Sequence, residues 1–281
     1  MNSHFFRIAY LGYSSKMLDK LCQNIHFDVV LAVYVPKRVD MKFLDNLKKY
    51  NVEGIPIETK PNFEILFENY GHFDAIIMHQ FEYILPESFV KKYVIINFHR
   101  GDLRTNRGAH SLVWSILRGD RKTCFSMYQL TGGIDEGLLI GEYWVTIEET
   151  DTTVSVDEKL QCGIPDLFQK LKLFLDGKIE PKLVMGGKYL PKIKEIDYTI
   201  DAMEDSFKII KQKINSQSAY LGAVIYIDHI KYRVMKYKET EGEEMKKRIV
   251  SFSGMILRIQ EHKDILILFC ERNKRPVVEN L

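Results

Sequence analysis

The sequence predicts an α/β fold: a Rossmann-like, mostly parallel sheet with helices on both faces, followed by a smaller β-rich C-terminal module. Over the first hundred residues, apolar runs rich in β-branched residues alternate with amphipathic stretches, which is typical of parallel strands buried on both faces. After a Lys-, Gly- and Pro-rich segment at 178–197, strand-like runs dominate instead. We therefore place one domain at 1–190 and a small helix-plus-β domain at 191–281.

The N-terminal half of the first domain is predicted to alternate strands with helices. Residues 7–12 form a buried strand in this interpretation, and the helix at 14–25 begins with a serine N-cap. Further strands are predicted at 28–36, 52–57, 73–80 and 94–99, with helices at 43–50 and 62–70. Ligands of such sheets bind beyond the carboxyl ends of the strands, so a site is expected at that edge.

The remaining elements are predicted from shorter patterns. A helix is expected at 111–119, strands at 124–130 and 138–147, and one or two helices within 153–177. In the second domain, 199–215 predicts a helix with one apolar face, formed by Ile200, Met203, Phe207, Ile210 and Ile214. Strands are expected within 222–237, 248–259 and 264–270, and 238–248 is predicted to be a solvated loop or hairpin tip.

The composition excludes several functional classes. The 281 residues include 40 basic and 38 acidic side chains, so we expect neither a general nucleic-acid binder nor a membrane-surface protein. Four cysteines without metal-ligand spacing predict free thiols in a reducing compartment and no metal site. The chain shows no signal-peptide pattern, and we expect a cytoplasmic protein. The GYSSK turn at 12–16 lacks the glycines of a dinucleotide or phosphate loop.

Asn97 and His99 end the last strand of the predicted parallel series and lie on one face, because side chains alternate along a strand. Asp135 follows in the Gly-rich loop GGIDEG at 132–137. Alone, His99 is as readily a hydrogen-bonded polar residue, and Asp135 a turn former. Together they suit acyl transfer: an amide donor for an oxyanion, an imidazole that titrates near neutrality, and a carboxylate to orient it. No serine or cysteine stands in a nucleophile motif, which favours direct transfer.

Four motifs follow one another in order: Asn97-Phe98-His99, Asn106-Arg107-Gly108, a helix bearing Trp114, and GGIDEGLLIGE at 132–142. Their order, with Asp135 36 positions after His99, resembles the folate-dependent formyltransferase family. That family includes methionyl-tRNA formyltransferase, glycinamide ribonucleotide transformylase and the sugar N-formyltransferases. Segment 79–89 resembles the family's apolar pterin-pocket loop, and 151–160 the segment after the Asp loop.

The resemblance implies transfer of a formyl group from 10-formyltetrahydrofolate to a primary amine, through a tetrahedral intermediate and without a metal. It makes Asn97, His99 and Asp135 the catalytic residues and 1–190 the formyltransferase catalytic domain. It assigns folate contacts to Phe81, Ile84, Leu85, Gly133, Ile134 and Gly137. Segment 209–234 resembles the start of the C-terminal module of sugar N-formyltransferases. The implied acceptor is a dTDP- or GDP-linked 4-amino-4,6-dideoxy or 3-amino-3,6-dideoxy hexose, as used in O-antigen and lipopolysaccharide biosynthesis.

The residues predicted to bind the acceptor follow the Asn-x-His motif. Arg100, Arg104 and Arg107 fit a diphosphate by charge and bidentate geometry, with a solvated loop as the alternative for each. His110 faces the sugar or starts a helix, and Tyr220 stacks on the nucleobase or packs internally. The family often has Ser-Leu-Leu-Pro where this chain has residues 100–104, and Pro-Tyr where it has 217–220, so the acceptor stays open.

Three other interpretations remain at this stage. A formyltetrahydrofolate hydrolase uses a similar triad with water as acceptor, and a degenerate folate or nucleotide-sugar binding module would lack catalysis. A tRNA acceptor is disfavoured because the C-terminal part is not conspicuously basic. We expect no nucleic-acid or membrane partner, and the β-rich C-terminal part is a candidate homodimer surface. The sequence does not identify the base, the sugar epimer or the position of the amine.

Overall fold

The structure, a computed structural model, describes residues 5–132, 136–184 and 187–272. The first sheet contains β1 (Phe6–Gly12), β2 (Phe27–Tyr34), β3 (Glu53–Pro56), β4 (Ala75–His79), β5 (Ile95–His99), β6 (Lys122–Leu130), β7 (Gly137–Thr146) and β8 (Lys182–Leu183). The helices up to this point are α1 (Ser15–Gln23), α2 (Met41–Lys49), α3 (Phe63–Glu68), α4 (Glu87–Lys92), α5 (Ser111–Leu117), α6 (Thr153–Gln161) and α7 (Ile164–Leu175).

The strand order of the first sheet is β3-β2-β1-β4-β5-β6-β7-β8. The pairs β2–β3, β1–β2, β1–β4 and β4–β5 are parallel, whereas β6 runs antiparallel to β5, and β8 antiparallel to β7. The chain builds outward from β1 to β3 and then crosses to β4 on the other side of β1. This change of direction makes the carboxyl ends of β1, β4 and β5 the expected ligand edge. The predicted Rossmann-like, mostly parallel sheet is confirmed.

Aromatic side chains fill one layer between the sheet and its helices. Phe63, Phe67 and Phe89 are fully buried, and their rings lie 5.1–5.5 Å apart in the pairs Phe63–Phe89 and Phe67–Phe89. The helices begin where the sequence supplies caps: the Ser14 hydroxyl accepts a hydrogen bond from the Met17 backbone N–H at the start of α1. Packing of this kind holds the strands rigidly, so the residues at their carboxyl ends keep fixed positions.

The chain divides into two compact units. The first comprises the described residues of 1–108, 124–144 and 160–189, and the second those of 109–123, 145–159 and 190–281. The linear division into domains at 1–190 and 191–281 stays a prediction of the sequence.

The second unit contains a six-stranded sheet in the order β12-β13-β14-β11-β10-β9. Its elements are β9 (Thr199–Ile200), α8 (Phe207–Ser216), β10 (Ala223–Ile227), β11 (Ile230–Glu241), β12 (Ile249–Ser253), β13 (Ile256–Glu261) and β14 (Asp264–Arg272). Asp228 and His229 both have positive φ, 49° and 63°, and this conformation closes the β10–β11 hairpin with a tight turn. The predicted β-rich module is confirmed, and β11 extends into the segment predicted as a solvated loop.

The helix predicted at 199–215 is wrong in its first half. Ile200 lies in β9, paired with β10, and Met203 is 58% exposed in a turn. The Asp201 carboxylate accepts a hydrogen bond from the Met203 backbone N–H, which stabilises that turn instead of a helix. The helix begins only after Ser206, whose hydroxyl caps α8. Local hydrogen bonding by aspartate and serine therefore overrides the apolar periodicity.

Among residues 5–132, 136–184 and 187–272, no helix has both the length and the apolar composition needed to cross a bilayer.

Asp151 organises the start of α6. It is 8% exposed, and its carboxylate accepts hydrogen bonds from the Glu148 backbone N–H and the Ser155 hydroxyl, both at 2.8 Å. The Lys159 ammonium pairs with the same carboxylate. Burial alone raises the pKa of Asp151, but these hydrogen bonds and the lysine charge outweigh burial and bring the pKa below its usual value. The ionised form is therefore favoured by folding.

We expect Asp151→Asn to lower the free energy of unfolding by about 1–3 kcal/mol at pH 7, because it removes charge-assisted hydrogen bonds. A carboxyl whose pKa is lowered by folding stabilises the protein above its unfolded pKa, and that stabilisation is lost as the pH falls through the folded pKa. The difference between the two proteins should therefore shrink below about pH 4 in urea titrations. Asp166→Asn, at an exposed position in α7, is the control. An equal loss at pH 3 and pH 7 would contradict the ionic role.

Candidate active site

Two polar side chains end β5 on the same face of the sheet. Asn97 and His99 are each 8% exposed, so both are buried polar groups that require hydrogen-bond partners. Phe98, between them, points to the other face and packs edge-on against Phe125 and Phe168. Because Phe98 packs on one face of the sheet and Asn97 and His99 find partners on the other, the end of β5 cannot turn about its own axis. The predicted placement of Asn97 beside His99 at the carboxyl edge is found in the structure.

The Asn97 amide is oriented by a neighbour on β6. Its Nδ2 donates a hydrogen bond of 2.7 Å to the Tyr128 hydroxyl, and the two residues are direct cross-strand partners. Tyr128 is completely buried. Sequence reasoning missed this residue, because neither strand's sequence alone determines the antiparallel register between β5 and β6. One indication is present in the sequence: Tyr128 shares a strand face with Ser126, so these two hydroxyl-bearing side chains point to the same side.

His99 is oriented by the loop that follows it. Its Nε2 lies 2.7 Å from the Asn106 carbonyl oxygen, seven residues further along the chain. A carbonyl oxygen only accepts, so Nε2 carries a hydrogen and donates. In the neutral ring Nδ1 is then the nitrogen without a hydrogen. This tautomer makes Nδ1 the atom of His99 that can take up a proton.

Side-chain donors hold the loop at 100–107 at two further points. The Ser126 hydroxyl donates to the Gly101 carbonyl at 2.7 Å, and the Arg107 Nε donates to the Leu103 carbonyl at 2.9 Å. Ser126 is the cross-strand partner of His99, so β6 supports both polar residues of β5. The loop beside the candidate catalytic pair is therefore fixed by internal hydrogen bonds before any ligand arrives.

The structure gives the first two arginines of the loop different surroundings. Arg100 donates to the Gln80 amide oxygen at 2.9 and 3.1 Å when that amide is turned to face it. Arg104 pairs with Asp102 and with Glu142. Partial burial lowers the pKa of Arg104, but these two carboxylates outweigh burial and raise it. The charge of Arg104 is thus already balanced by the protein.

Arg107 is mostly internal, with its side chain 10% exposed. Besides the Leu103 carbonyl, its guanidinium contacts the Glu136 carboxylate at 3.1 Å. Gly187 lies against it with φ of 121°, and a β-carbon there would stand 2.3 Å from the Arg107 Nε. Glu136 directly follows Asp135 in the chain. Arg107 therefore connects the loop after His99 to the residue next to Asp135.

His110 and Tyr220 meet within the second unit. Their ring centroids are 6.2 Å apart and nearly perpendicular, and Tyr220 is 37% exposed. His110 precedes α5 in the left-handed conformation, with φ of 62°, and its Nδ1 accepts a hydrogen bond from the Ile193 backbone N–H at 3.2 Å. The structure thus brings these two predicted acceptor residues together.

The predicted folate residues lie in two segments. In the loop between β4 and α4, Phe81 contacts the Phe63 ring edge-on at 6.0 Å, Leu85 is buried in the core, and Ile84 is 62% exposed. Gly137 begins β7 and is buried. The other predicted residues of the second segment lie outside the described part of the chain; they are Gly133, Ile134 and the catalytic candidate Asp135.

His79, at the end of β4, is a second polar residue that sequence reasoning did not single out. It is 1% exposed, its Nδ1 donates to the Phe98 carbonyl at 2.8 Å, and its ring lies 5.3 Å from that of Phe125. The signal was available, because His79 ends an apolar strand in the same way as His99. It joins the carboxyl ends of β4 and β5.

One buried thiol, that of Cys124, lies on β6, the strand that pairs with β5. Burial raises the pKa of the Cys124 thiol to about 12, so this thiol on β6 stays protonated. Within the described ranges, no group of three or more His, Cys, Asp and Glu side chains is placed to hold a metal ion. The arrangement at the end of β5 is a buried amide donor beside an imidazole, which suits proton transfer and oxyanion stabilisation.

Residues 62–166 match the Formyl transferase domain family. A methionyl-tRNA formyltransferase of Prochlorococcus marinus is 28% identical over 93% of this chain and 88% of its own length. The fold resembles HypX of Aquifex aeolicus in complex with tetrahydrofolic acid, with a TM-score of 0.70 and 17% identity over 96% of this chain and 44% of HypX. It also resembles an N-formyltransferase of Helicobacter canadensis, solved with folinic acid and dTDP-3-aminofucose, with a TM-score of 0.66 and 14% identity over 94% of this chain and 98% of that one.

We expect Gly137→Ala to lower the free energy of unfolding by about 1–3 kcal/mol, because the new methyl group overpacks β6. A β-carbon at Gly137 would stand 2.0 Å from the Gln129 carbonyl oxygen and 2.7 Å from the Tyr128 ring. Urea unfolding gives the measurement. Gly141→Ala on the same strand is the control, since its methyl group would meet only the flexible Lys170 side chain closely. Equal stability of the two variants would contradict the close packing at Gly137.

Proposed function

Because the chain belongs to the folate-dependent formyltransferase family, we propose that it formylates the primary amine of a nucleotide-linked amino-deoxy sugar. The chain is an N-formyltransferase that uses a folate formyl donor, which we propose to be 10-formyltetrahydrofolate. The proposed acceptor is a dTDP- or GDP-linked 4-amino-4,6-dideoxy or 3-amino-3,6-dideoxy hexose. The observation that carries the chemistry is the buried pair Asn97 and His99 at the carboxyl end of β5, each oriented by its own hydrogen bond.

The donor set of the site fits a formyl group. Bound 10-formyltetrahydrofolate supplies a formyl carbonyl that is open to attack by an amine. The Asn97 amide, and His99 once it has taken up a proton from the amine, would stabilise the negative charge that develops on the formyl oxygen, and one such donor is worth about 2.7–4 kcal/mol. The exposed aliphatic side chain of Ile84 and the ring of Phe81 suit contact with a flat pterin.

Proton transfer follows from the tautomer of His99. The neutral amine attacks the formyl carbon, and its nitrogen, which is positively charged in the tetrahedral intermediate, must then lose a proton. The folate nitrogen must gain a proton as its bond to the formyl carbon breaks. With Nε2 bound to the Asn106 carbonyl, Nδ1 of His99 is one proposed acceptor of the first proton and donor of the second, and Asp135 is the other, directly or through water. Asp135, which lies outside the described residues, is proposed to stabilise the resulting imidazolium.

Position and charge support the proposed contacts to the acceptor. Arg100 directly follows His99, and its guanidinium can bind a diphosphate in a bidentate manner. Arg104 and Arg107 already pair with carboxylates, so their predicted phosphate contacts would compete with internal partners. Contact of Tyr220 with a nucleobase is proposed from the sequence resemblance; within the second unit its ring is 37% exposed and lies against His110. The N-formyltransferase of Helicobacter canadensis with dTDP-3-aminofucose shares the fold over nearly the whole chain.

A second candidate acceptor is methionyl-tRNA, favoured by the similarity to a methionyl-tRNA formyltransferase along 93% of the chain. Against it stands the net charge of +2, which is low for a protein that grips a polyanion by its phosphates. Water as the acceptor would make the enzyme a formyltetrahydrofolate hydrolase. The proposed catalytic domain at 1–190 is compatible with each acceptor, so the acceptor has to be tested directly.

The decisive experiment incubates the protein with 10-formyltetrahydrofolate and one acceptor at a time, and detects formylated product by mass. The panel contains dTDP- and GDP-linked 3-amino and 4-amino sugars, the same amino sugars without nucleotide, methionyl-tRNA, and buffer alone. We expect formylation of a nucleotide-linked sugar and little of the free sugar. Formyl-methionyl-tRNA as the sole product would refute the proposed acceptor, and formate release without any amine would establish hydrolysis.

We expect Asn97→Ala and His99→Ala each to lower kcat by about 10²–10³-fold, because each removes a group that acts on the developing oxyanion. Binding of the folate donor, followed by calorimetry, should change little. Asn46→Ala, which removes a partly buried amide bonded to the Ser15 carbonyl in α1, is the matched control and should retain kcat. Either active-site variant with near-normal kcat would refute the assigned roles.

A further inference from the structure

We propose that Tyr128 is a positioning residue for formyl transfer: its hydroxyl fixes the plane of the Asn97 amide so that the amide nitrogen is aimed at the developing oxyanion. The inference rests on the proposed function and assigns a role that the Asn-x-His motif does not contain. Tyr128 touches Asn97 but is not itself proposed to contact either substrate.

An asparagine amide does not hold its own orientation. The torsion that rotates the amide is broad, so no intrinsic preference aligns its N–H groups with a reacting atom. In this structure the Nδ2 of Asn97 donates to the Tyr128 hydroxyl at 2.7 Å. Because Nδ2 carries two hydrogens in one plane, fixing one N–H also fixes the direction of the other.

Tyr128 is itself held rigidly. Its side chain has no exposed surface, and it lies on β6 directly opposite Asn97 in the antiparallel register. Gly137, the first residue of β7, packs so closely that a β-carbon there would stand 2.7 Å from the Tyr128 ring. A ring confined by strand pairing and by this contact cannot swing away, so it gives the amide a fixed reference point.

A hydroxyl at a fully buried position costs free energy unless it forms a hydrogen bond. A phenylalanine would fill nearly the same volume, and most of the largest fully buried side chains among the described residues are apolar. The hydroxyl instead forms a hydrogen bond with the residue that the family motif makes an oxyanion donor. A structural tyrosine would serve as well bonded to the backbone, as in Tyr10, whose hydroxyl accepts from the Ser14 N–H at 3.2 Å.

The test compares Tyr128→Phe with the wild-type protein, using the acceptor found active in the panel. We expect kcat to fall about 10- to 100-fold, the size of loss associated with small misplacement of a catalytic group. The KM values of both substrates should stay within about twofold, because uniform binding is not affected. Tyr10→Phe, the same change at another fully buried tyrosine of this sheet, is the control and should leave kcat unchanged.

Two further measurements separate positioning from general weakening of the fold. In the Asn97→Ala background, adding Tyr128→Phe should lower kcat no further, because the hydroxyl acts through the missing amide. The side-chain ¹⁵N–¹H signals of Asn97, assigned by their loss in Asn97→Ala, should move in Tyr128→Phe and stay in place in Tyr10→Phe. A kcat loss of the same factor in both backgrounds, unmoved Asn97 signals, or an unchanged kcat in Tyr128→Phe would overturn the proposal.

These outcomes are distinct from failure of the proposed function. If the wild-type protein formylates none of the acceptors, the function itself is refuted, and the role of Tyr128 is refuted with it. If the wild-type protein is active and Tyr128→Phe is equally active, only the role of Tyr128 fails.

Discussion

The site depends on the requirement that buried polar groups find partners. Asn97 and His99 end β5 inside the protein, where an unsatisfied amide or imidazole would cost a free energy comparable to a lost hydrogen bond. Each therefore needs a dedicated partner: the Tyr128 hydroxyl for one and the Asn106 carbonyl for the other. The same two bonds that make burial tolerable also set the direction of the amide and the tautomer of the ring. Stability and chemistry have a common origin here.

Much of this arrangement could be predicted from local patterns. The parallel strands, their order of appearance and the face shared by Asn97 and His99 follow from apolar runs and from the period of two along a strand. The contacts that the sequence did not predict join residues that are distant in the chain. Tyr128 becomes a partner of Asn97 only through the register between β5 and β6, and the burial of Arg107 depends on a close approach by Gly187. The missed start of α8 has a local cause, since Asp201 and Ser206 form their own hydrogen bonds.

The loop arginines Arg104 and Arg107 have carboxylate partners that their own spacing in the sequence does not reveal. Three closely spaced arginines suggest one anion-binding cluster, yet Arg104 faces Asp102 and Glu142, and Arg107 faces Glu136. Glu142 and Glu136 are distant in the chain from the arginines that they contact, whereas Asp102 is close to its partner. The sequence therefore shows the three arginines together but not the carboxylates that pair with them. Arg107 in particular has the contacts of a structural tie between two loops. The acceptor therefore has to be established by chemistry, not by counting basic residues.

The antiparallel pairing of β5 with β6 has a consequence for how this protein can change. Both partners that β6 supplies, Tyr128 beside Asn97 and Ser126 beside His99, stand on one face of a single strand. Removal of one residue upstream of them in β6 would turn both side chains to the opposite face at once. A substitution in a loop alters one contact at a time, whereas a one-residue deletion in β6 alters both contacts together. A change in the length of β6 would therefore disturb the partners of Asn97 and His99 together, whereas a change in a loop leaves both β6 partners in place.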